Sequence, residues 1–375
     1  MLVNYIMCMQ LANFVHSQIT QRDENWLPWR SKHQYISDVT TAERIVDSRS
    51  KNEITPLNLV LLPSSFKTAR CLDGSRFGYY IRRSQSLANS RKWIIFLTGG
   101  GACITPMDCI QRKTSPRGLG SSLYWNSTFL PGGNFQGFSA MHDILSDNPS
   151  DNPSFYDYNH VYLQYCSGDI WTGTRKSFDK FGLWFSGHNN LKAVIRHLSQ
   201  TENLNLATHI LFLGVSAGGW GLFSNADFIR EKWISRSTIV KAVSIDGFIV
   251  PGPVTLYQPY TLGIRIPVND VASKYLTSWY RSALDESCVK STPKWKRHRC
   301  LDVSHLYNFI RTPMFVIQNR FDKYIMENAL MDPLEGNSNY FTNNFVKWYG
   351  DTMVKSLSSK IRTKRGRRKG DGLFL

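Results

Sequence analysis

The stretch Ile210–Gly221 constrains the fold more than any other part of this chain, because an apolar run passes into a glycine-rich turn and then into a helix-like segment. In the turn, Gly214-Val-Ser-Ala-Gly218, glycines stand two residues before and two residues after Ser216. Such glycines let the backbone turn sharply between a strand and a helix, so that the serine hydroxyl stands clear of the sheet. A glycine-rich turn without a chemical role is the alternative, but the flanking patterns favour a nucleophile elbow with Ser216 as the candidate nucleophile.

Short apolar runs alternate with helix-like segments along most of the chain. Strands are predicted at 58–62, 77–81, 93–97, 160–166, 210–213, 239–245 and 313–317, and helices at 181–199 and 222–233. The turn signal Asp73-Gly74 predicts that the first two strands pair antiparallel at a sheet edge. Residues 104–156 and about 250–310 have the composition of loops. The alternation predicts an α/β fold with a mostly parallel central sheet flanked by helices.

A second glycine-rich loop, Thr98-Gly-Gly-Gly-Ala-Cys103, follows the strand predicted at 93–97. In acyl transfer a carbonyl oxygen becomes an oxyanion, and glycines let backbone N–H groups approach it without a side chain in the way. A flexible turn is the alternative for this loop in isolation. Its combination with a nucleophile elbow favours the oxyanion-binding interpretation.

Asp322 follows the last predicted strand, at the kind of position where sites of open α/β sheets gather. Its place after Ser216 fits the order serine, aspartate, histidine of α/β-hydrolases. An aspartate after a strand is also a common cap, so the position by itself leaves both interpretations open.

The chain carries a net charge of +17 and has a pI near 9.6. Much of the excess lies near the C-terminus, at Lys360, Arg362, Lys364, Arg365, Arg367, Arg368 and Lys369. This cluster predicts a polyanionic partner such as a sulfated glycan, and a solvated tail without a partner is the alternative. No zinc-ligand spacing, helix-turn-helix pattern or aromatic RNA-binding motif supports nucleic-acid binding. No apolar run approaches the roughly 18 residues of a membrane span.

Three regions are predicted along the chain. Residues 1–55 are expected to form a poorly ordered arm, residues 56–355 a single α/β domain, and residues 356–375 a basic, disordered tail. Residues 1–20 resemble a degenerate signal peptide, because an early Lys or Arg is lacking and polar residues interrupt the apolar run. An incomplete start of the chain is one interpretation.

Six of the seven cysteines fall within the predicted domain, and only Cys8 lies outside it. An even number suggests three disulfides and an oxidising compartment, although spacing alone does not give their connectivity. A cytosolic protein with six scattered thiols is the alternative. The sequon at Asn126 agrees with secretion and is a candidate glycosylation site.

Five segments resemble the Notum carboxylesterases and their relatives, the pectin acetylesterases. They are Cys71–Gly74, Phe96–Cys103, Tyr165–Gly173, Gly214–Gly219 and Val316–Asp322. The segments follow the family's order over residues 57 to about 350, which is far more specific than any single motif. Trp171-Thr-Gly173 and Phe321-Asp322 are more similar to Notum than to the plant enzymes.

The resemblance implies an α/β-hydrolase fold and a secreted serine carboxylesterase without cofactor or metal. It implies that Ser216 is the nucleophile, that Asp322 orients a catalytic histidine, and that the N–H groups of Gly100, Gly101 and Ala217 form the oxyanion hole. By resemblance the substrate is an O-acyl ester, such as the palmitoleoyl-serine of Wnt proteins, and heparan sulfate is a partner. An O-acetylesterase of glycans or small esters, and a non-catalytic secreted relative that binds polyanions, are the alternatives.

The resemblance also implies disulfides and marks departures from the family. The implied pairs are Cys71 with Cys166, Cys103 with Cys109, and Cys288 with Cys300.

Gly101 and Ala102 stand where Notum has a tryptophan and a tyrosine, and Leu301 and Asp302 stand where it has two phenylalanines. A carboxylate at Asp302 beside a lipid tail is unfavourable unless it faces solvent, which argues against a long acyl chain. The family's aspartate near Asp246 is displaced by one position.

The most serious departure from the family pattern concerns the histidine that serves as the catalytic base. The nine histidines of the chain end at His305, whereas the family's base follows the aspartate. Serine is a poor nucleophile unless a base takes its proton, so this chain is expected to hydrolyse esters very poorly. One interpretation is that His188 or His305 replaces the base in space. The favoured one is that the basic end from Ser356 onwards replaces the real C-terminus, through a truncated or misread gene or a splice variant.

Overall fold

The computed structural model describes residues 54–131, 144–249, 255–256, 266–267, 270–322, 343–362 and 371–374. Within these ranges, the side chains of 255–256, 266–267, 270–272, 343–346, 348 and 361–362 are not described. The predicted signal peptide and nearly all of the predicted N-terminal arm lie outside the described residues. The chain divides into a small unit, 1–56 with 130–157, and a large unit, 57–129 with 158–375.

The described part of the small unit consists of turns. Ser146 and Asn148 side chains accept hydrogen bonds from the backbone two residues further on, and Asn152 Nδ2 donates to the carbonyls of Ile144 and Ser146. Asp147 accepts a hydrogen bond from the N–H of Thr55. The asparagine and serine side chains thus make the local turns that their sequence favours.

The large unit is built on eleven described strands. Their bounds are β1 Leu57–Leu61, β2 Gly78–Arg82, β3 Lys92–Leu97, β4 Thr128–Phe129, β5 Asn159–Leu163, β6 His209–Val215, β7 Ile239–Ile245, β8 Thr255–Leu256, β9 Ile266–Pro267, β10 Met314–Ile317 and β11 Gly372–Phe374. Nine of them form one sheet in the order β11-β10-β7-β6-β3-β5-β2-β1-β4, and β8 pairs with β9. The six strands from β11 to β5 are parallel, and β2, β1 and β4 continue the sheet antiparallel. The predicted mostly parallel α/β sheet is confirmed.

Seven helices and three 3-10 turns are described. The helices are α1 Pro106–Lys113, α2 Gly187–Thr201, α3 Ala217–Lys232, α4 Asp270–Tyr280, α5 Glu286–Ser291, α6 Val303–Leu306 and α7 Asn343–Arg362. The 3-10 turns are Ser122–Tyr124, Leu204–Leu206 and Lys294–Leu301. The apolar residues predicted to pack α2 on the sheet, Leu191, Val194, Ile195 and Leu198, are all buried. No described helix is long and apolar enough to cross a membrane.

Two of the segments predicted as loops contain helices. Residues 104–156 include α1, and residues 250–310 include α4, α5 and α6. Helix α1 begins at a local signal, because the Thr105 hydroxyl accepts a hydrogen bond from Asp108 N and Pro106 occupies the first turn. Helices α5 and α6 are six and four residues long, too short for a hydrophobic period to show in the sequence.

The expectation of a disordered tail over 356–375 is wrong for part of that range. Helix α7 continues to Arg362, and β11 extends the sheet beside β10. The Asp371 carboxylate accepts a hydrogen bond from Met314 N at 2.9 Å and another from the Tyr307 hydroxyl at 3.4 Å. These contacts join residues more than fifty positions apart, and local composition carries no signal for them.

The parallel strands end together at one edge of the sheet. Val215 pairs with Ile245, Ile245 with Ile317, and Ile317 with Phe374. The residues that follow these positions therefore lie side by side. This carboxyl edge carries Ser216 after β6, Asp246 after β7 and the loop to Asp322 after β10.

Candidate active site

Ser216 forms the sharp turn between β6 and α3 that the sequence predicts. Its φ of 54° and ψ of −122° are strained for a residue with a side chain, and strain of this kind concentrates at functional sites. Its N–H donates to the carbonyl of Ile245 at 2.8 Å, and its carbonyl accepts the first bond of α3 from Trp220 N. Ser216 is partly exposed, and its hydroxyl has no hydrogen-bond partner in the described part of the chain.

The two glycines of the elbow are required by close packing. A Cβ atom on Gly218 would lie 2.1 Å from the carbonyl oxygen of Leu97, and one on Gly214 would lie 2.3 Å from the carbonyl oxygen of Gly218. Either distance is far shorter than a van der Waals contact between a Cβ atom and a carbonyl oxygen. The start of α3 can therefore approach β3 and its following loop only because these positions carry no side chain.

The glycine-rich loop after β3 packs directly against the elbow. A Cβ atom on Gly99 would lie 2.8 Å from Ser216 Cβ and 3.4 Å from Ser216 Oγ. Gly100 and Gly101 follow with φ values of 143° and 68°, which favour glycine. The N–H groups of Gly100, Gly101 and Ala217 have no hydrogen-bond partner among the described residues. Ala217 is the first residue of α3, where the helix dipole also favours negative charge.

Three side chains from distant parts of the chain hold the carbonyls of this loop. Trp171 Nε1 donates to Thr98 O at 3.0 Å, Arg112 Nη1 to Gly100 O at 2.6 Å, and the Tyr280 hydroxyl to Cys103 O at 2.5 Å. Each bond satisfies a carbonyl and fixes the plane of its peptide unit. Three carbonyls of the loop are thus occupied, while the N–H groups of Gly100 and Gly101 lack partners among the described residues.

The three disulfides implied by the family resemblance are all formed. Cys71 pairs with Cys166, Cys103 with Cys109, and Cys288 with Cys300. The second disulfide joins the end of the glycine-rich loop to α1, and all six cysteines are buried. Spacing alone left their connectivity open.

Two carboxylates lie close together at the carboxyl edge. Asp246 has a φ of 49° and accepts hydrogen bonds from Asn319 N at 2.7 Å and Asn319 Nδ2 at 2.8 Å. Burial raises the pKa of Asp246 to about 6, the bonds from Asn319 oppose the rise, and the nearby Asp322 carboxylate adds to it. Burial and the same two carboxylates raise the pKa of Tyr349, whose buried hydroxyl has no hydrogen-bond partner among the described residues. Asp322 is thus at the sheet edge that carries Ser216, with a second carboxylate as neighbour.

The structure does not bring His188 to Ser216. His188 Nδ1 is 2.7 Å from Asn225 Oδ1, and its ring packs on Phe228. Asn225 is nine residues beyond Ser216 on α3, which is about 13 Å along the helix axis. Burial lowers the pKa of His188 to about 4, so the ring is neutral at pH 7.

His305 also belongs to a structural cluster. Its Nε2 is 3.2 Å from the Thr292 hydroxyl, which in turn contacts the sulfurs of Cys288 and Cys300. These two cysteines and His305 form the one group of metal-ligating residue types among the described residues. Because the two sulfurs are bonded to each other, the group offers one imidazole and no thiolate, which does not suit a metal ion.

The positions that depart from the Notum pattern lie beside one hydrophobic cluster. Leu301 is 1% exposed and belongs to this cluster, and Ala102 packs against it. The carbonyl of Leu301 accepts a hydrogen bond from Trp220 Nε1 in the first turn of α3. Asp302 is partly exposed and caps α6 by accepting from Ser304 N and Oγ, so its carboxylate is paired rather than directed at apolar side chains. Burial nevertheless raises its pKa.

Asp169 is a buried carboxylate beside the candidate site that sequence reasoning did not single out. It is 0% exposed and accepts hydrogen bonds from the Ser167 hydroxyl, Gly173 N and Gly187 N. It therefore ties the loop that carries Trp171 to the start of α2. Its presence in the family-like segment Tyr165–Gly173 was the available signal. Arg112 and Tyr280 gave none, because their bonds to the glycine-rich loop are tertiary.

Comparisons with known proteins agree with this geometry. The sequence profile of the pectinacetylesterase family matches residues 50–358. A palmitoleoyl-protein carboxylesterase NOTUM of Schmidtea mediterranea is 30% identical over 323 residues, covering 82% of this chain and 58% of that protein. Pectin acetylesterase 5 of Arabidopsis thaliana is 30% identical over 289 residues, covering 76% and 62%. The crystal structure of the Wnt deacylase Notum from Drosophila superposes with a TM-score of 0.67 at 29% identity, covering 85% of this chain and 83% of that chain.

The match does not extend over the full relatives. The chain spans about half the length of the curated relatives it matches. The family assignment rests on the profile, which covers most of this chain, and on the shared fold.

Proposed function

The chain belongs to the pectinacetylesterase family, and from that premise we propose that it is a serine carboxylesterase whose nucleophile is Ser216. One observation carries the proposal. A strained serine with a free hydroxyl is packed against a loop whose Gly100 and Gly101 N–H groups, with that of Ala217, lack partners among the described residues. Donors left free beside a nucleophile suit the oxyanion of an acyl-transfer intermediate.

The proposed reaction has two steps. Ser216 Oγ attacks the ester carbonyl, the alcohol leaves, and water then releases the acid from the acyl-enzyme. The three N–H groups bind the oxyanion in both steps. Asp322 orients the base that takes the serine proton. No histidine follows Asp322 in the 375 residues, and His188 and His305 are engaged elsewhere. The proposed scaffold is therefore better equipped for oxyanion binding than for proton transfer.

We propose an O-acyl ester as the substrate, because the matched relatives are named for palmitoleoyl-protein esters and for acetylated pectin. A lipidated protein of the Wnt kind is the first candidate and an acetylated glycan the second. Leu301, a member of the hydrophobic cluster, and Ala102, which packs against it, support an apolar acyl group, and the Asp302 carboxylate does not oppose a long one because it is paired as the cap of α6. Competition between a palmitoleoyl-serine peptide and an acetyl ester for Ser216 would decide the order.

We further propose secretion and a polyanionic partner such as heparan sulfate. Three disulfides support an oxidising compartment. The net charge of +17 supports a sulfated glycan. Asn126 is exposed and is the proposed glycosylation site. Salt-dependent retention on heparin and a mass decrease after N-glycosidase treatment of secreted protein would test these proposals. Elution at low salt and an unmodified Asn126 would contradict them.

Labelling of the nucleophile tests the central proposal. The 375-residue protein is treated with a fluorophosphonate, which reacts with activated serines, and the modified peptide is identified by mass spectrometry. We expect labelling at Ser216 and slow hydrolysis of a short-chain ester, both lost in Ser216→Ala. Ser224→Ala, in the same helix, is the matched control. Labelling elsewhere, or hydrolysis unchanged in Ser216→Ala, refutes the assignment, and heparin binding without labelling favours the non-catalytic alternative.

A further inference from the structure

We propose that Arg112 is a positioning residue for the oxyanion-binding loop, which fixes and polarises the peptide unit between Gly100 and Gly101. The inference rests on the proposed function. Arg112 Nη1 donates to Gly100 O at 2.6 Å, and the N–H of the same peptide unit belongs to Gly101. The peptide is trans, so its carbonyl and its N–H point in opposite directions. The cation therefore binds the end of the peptide unit opposite to the proposed oxyanion.

Arg112 is held in this position by its own helix. It lies in the last turn of α1, one turn after Asp108, whose charge it compensates. Asp108 also accepts a hydrogen bond from Ile104 N at 3.1 Å, and the Cys103–Cys109 disulfide ties α1 to the loop. The guanidinium and the glycine-rich loop thus belong to one crosslinked unit.

One donor of the Arg112 side chain is left unpaired in this position. Its Nε is buried and has no hydrogen-bond partner among the described residues. A buried donor without a partner lowers the stability of the folded state, and does so more when the group is charged. A charged side chain kept with an unpaired donor suggests a role of the charge itself, because a neutral donor would also satisfy the Gly100 carbonyl.

Charge distinguishes Arg112 from the other two side chains that hold the loop. Trp171 and Tyr280 bind the outer carbonyls of Thr98 and Cys103 through neutral donors. Arg112 binds the central carbonyl with a cation, and charge-assisted hydrogen bonds are roughly twice as strong as neutral ones. A hydrogen bond to a carbonyl also makes the N–H of its peptide unit a better donor, by about 10–30% per bond. The Gly101 N–H is therefore both aimed and strengthened.

The alternative is that Arg112 only anchors α1. Lys113 provides the matched control, because it is the next residue of the same helix, carries the same charge and donates from Nζ to the carbonyl of Gly182 at 2.8 Å. A purely structural role of basic residues at this helix end would affect both positions alike. A role specific to the Gly100–Gly101 peptide unit belongs to Arg112.

The experiment compares Arg112→Met, Arg112→Lys and Lys113→Met in the 375-residue chain labelled with ¹⁵N-glycine. Arg112→Met should move the Gly101 amide signal and slow fluorophosphonate labelling of Ser216 about 10- to 100-fold. That loss is smaller than the roughly 10²- to 10³-fold loss seen when one oxyanion donor is removed. Arg112→Lys should recover part of both effects, because it keeps the charge but loses the planar fork. Lys113→Met should leave the Gly101 signal and the labelling rate unchanged.

An unmoved Gly101 signal in folded Arg112→Met overturns the inference, whether or not the protein hydrolyses esters. Equal effects in Lys113→Met overturn it as well, since they would assign the effect to α1 as a whole. If Arg112→Met does not fold, the Gly101 signal and labelling rate of Arg112→Lys decide, and wild-type values there count against the proposal. Failure of the proposed function has a different signature, namely ester hydrolysis and labelling that persist in Ser216→Ala.

Discussion

At the scale of single residues, Asp169 shows how a buried charge can set the pH dependence of a loop. It is fully buried and accepts hydrogen bonds from three donors. Burial raises its pKa from the ordinary 3.8 to about 6, against the effect of those bonds. The folded protein therefore holds the proton more tightly than the unfolded chain does. The stability that follows is complete below about pH 4 and is lost as the pH rises to about 6.

We expect Asp169→Asn to remove this pH dependence. The amide oxygen can accept from Gly173 N and Gly187 N, while the amide N–H donates to the Ser167 hydroxyl. A rise of about two pKa units corresponds to roughly 3 kcal/mol of unfolding free energy between pH 4 and pH 6. Urea unfolding at pH 4, 5, 6 and 7 would measure it. Asp73→Asn, which alters a partly buried turn carboxylate bonded to Ser75, is the control. An unchanged pH slope in Asp169→Asn would contradict the prediction.

The placement of single residues was predictable to the extent that it depends on local sequence. Ser216 was found because the glycines that its strained turn requires are neighbours in sequence. The bond between Tyr280 and Cys103 spans 177 positions, and that between Trp171 and Thr98 spans 73. Such contacts depend on tertiary packing, and a single sequence contains no period or spacing that encodes them.

At the scale of structural elements, the disulfides differ in how much of the unfolded chain they constrain. Cys71–Cys166 joins residues 95 positions apart, and Cys103–Cys109 joins residues 6 positions apart. In the chain-entropy account a loop of about 100 residues contributes about 4.7 kcal/mol, and a loop shorter than 15 residues less than about 3. The long disulfide should therefore dominate stability, and the short one should mainly hold the glycine-rich loop.

We expect the double variant Cys71→Ala/Cys166→Ala to lose roughly twice as much unfolding free energy as Cys103→Ala/Cys109→Ala, because its crosslink closes the longer loop. The Cys103→Ala/Cys109→Ala variant should instead have the larger effect on the site: we expect it to slow fluorophosphonate labelling of Ser216 more than the long-disulfide variant does, although it loses less unfolding free energy. Denaturant unfolding and labelling rates of the two variants provide the comparison. Equal stability losses would show that strain or residual structure outweighs chain entropy here.

Elements were predictable where a pattern is long enough to read. The strand predicted at 239–245 coincides with β7, Ile239–Ile245, because six buried or half-buried residues follow the exposed Ile239 without a break. The helix predicted at 222–233 was placed to start too late in the sequence, because α3 already starts at Ala217, inside the glycine-rich turn. Glycines argue against a helix by propensity, and the close approach of α3 to Leu97 overrides that preference.

At the scale of the whole molecule, the strand order places the chemistry at one edge. The paired positions Val215, Ile245 and Ile317 align the elbow with the Asp246 and Asp322 carboxylates, although these residues lie up to 106 positions apart in sequence. Sheet register and the loop after β10 thus bring the proposed nucleophile and the proposed acid to the same edge. The base is the group that the register does not supply from the described residues.

The last prediction follows from that arrangement: added imidazole should accelerate ester hydrolysis by the 375-residue chain. Ser216 with its proposed oxyanion donors retains part of a catalytic site, and in serine proteases such remnants give about 10³- to 10⁴-fold over water. Imidazole can take the serine proton if it reaches the space between Ser216 and Asp322. We expect a several-fold rise that saturates with imidazole above its own background reaction and is absent in Ser216→Ala. His188→Ala and His305→Ala should change nothing, because these rings are bonded to Asn225 and Thr292. Fast hydrolysis without imidazole that is abolished in either histidine variant would instead identify that histidine as the base.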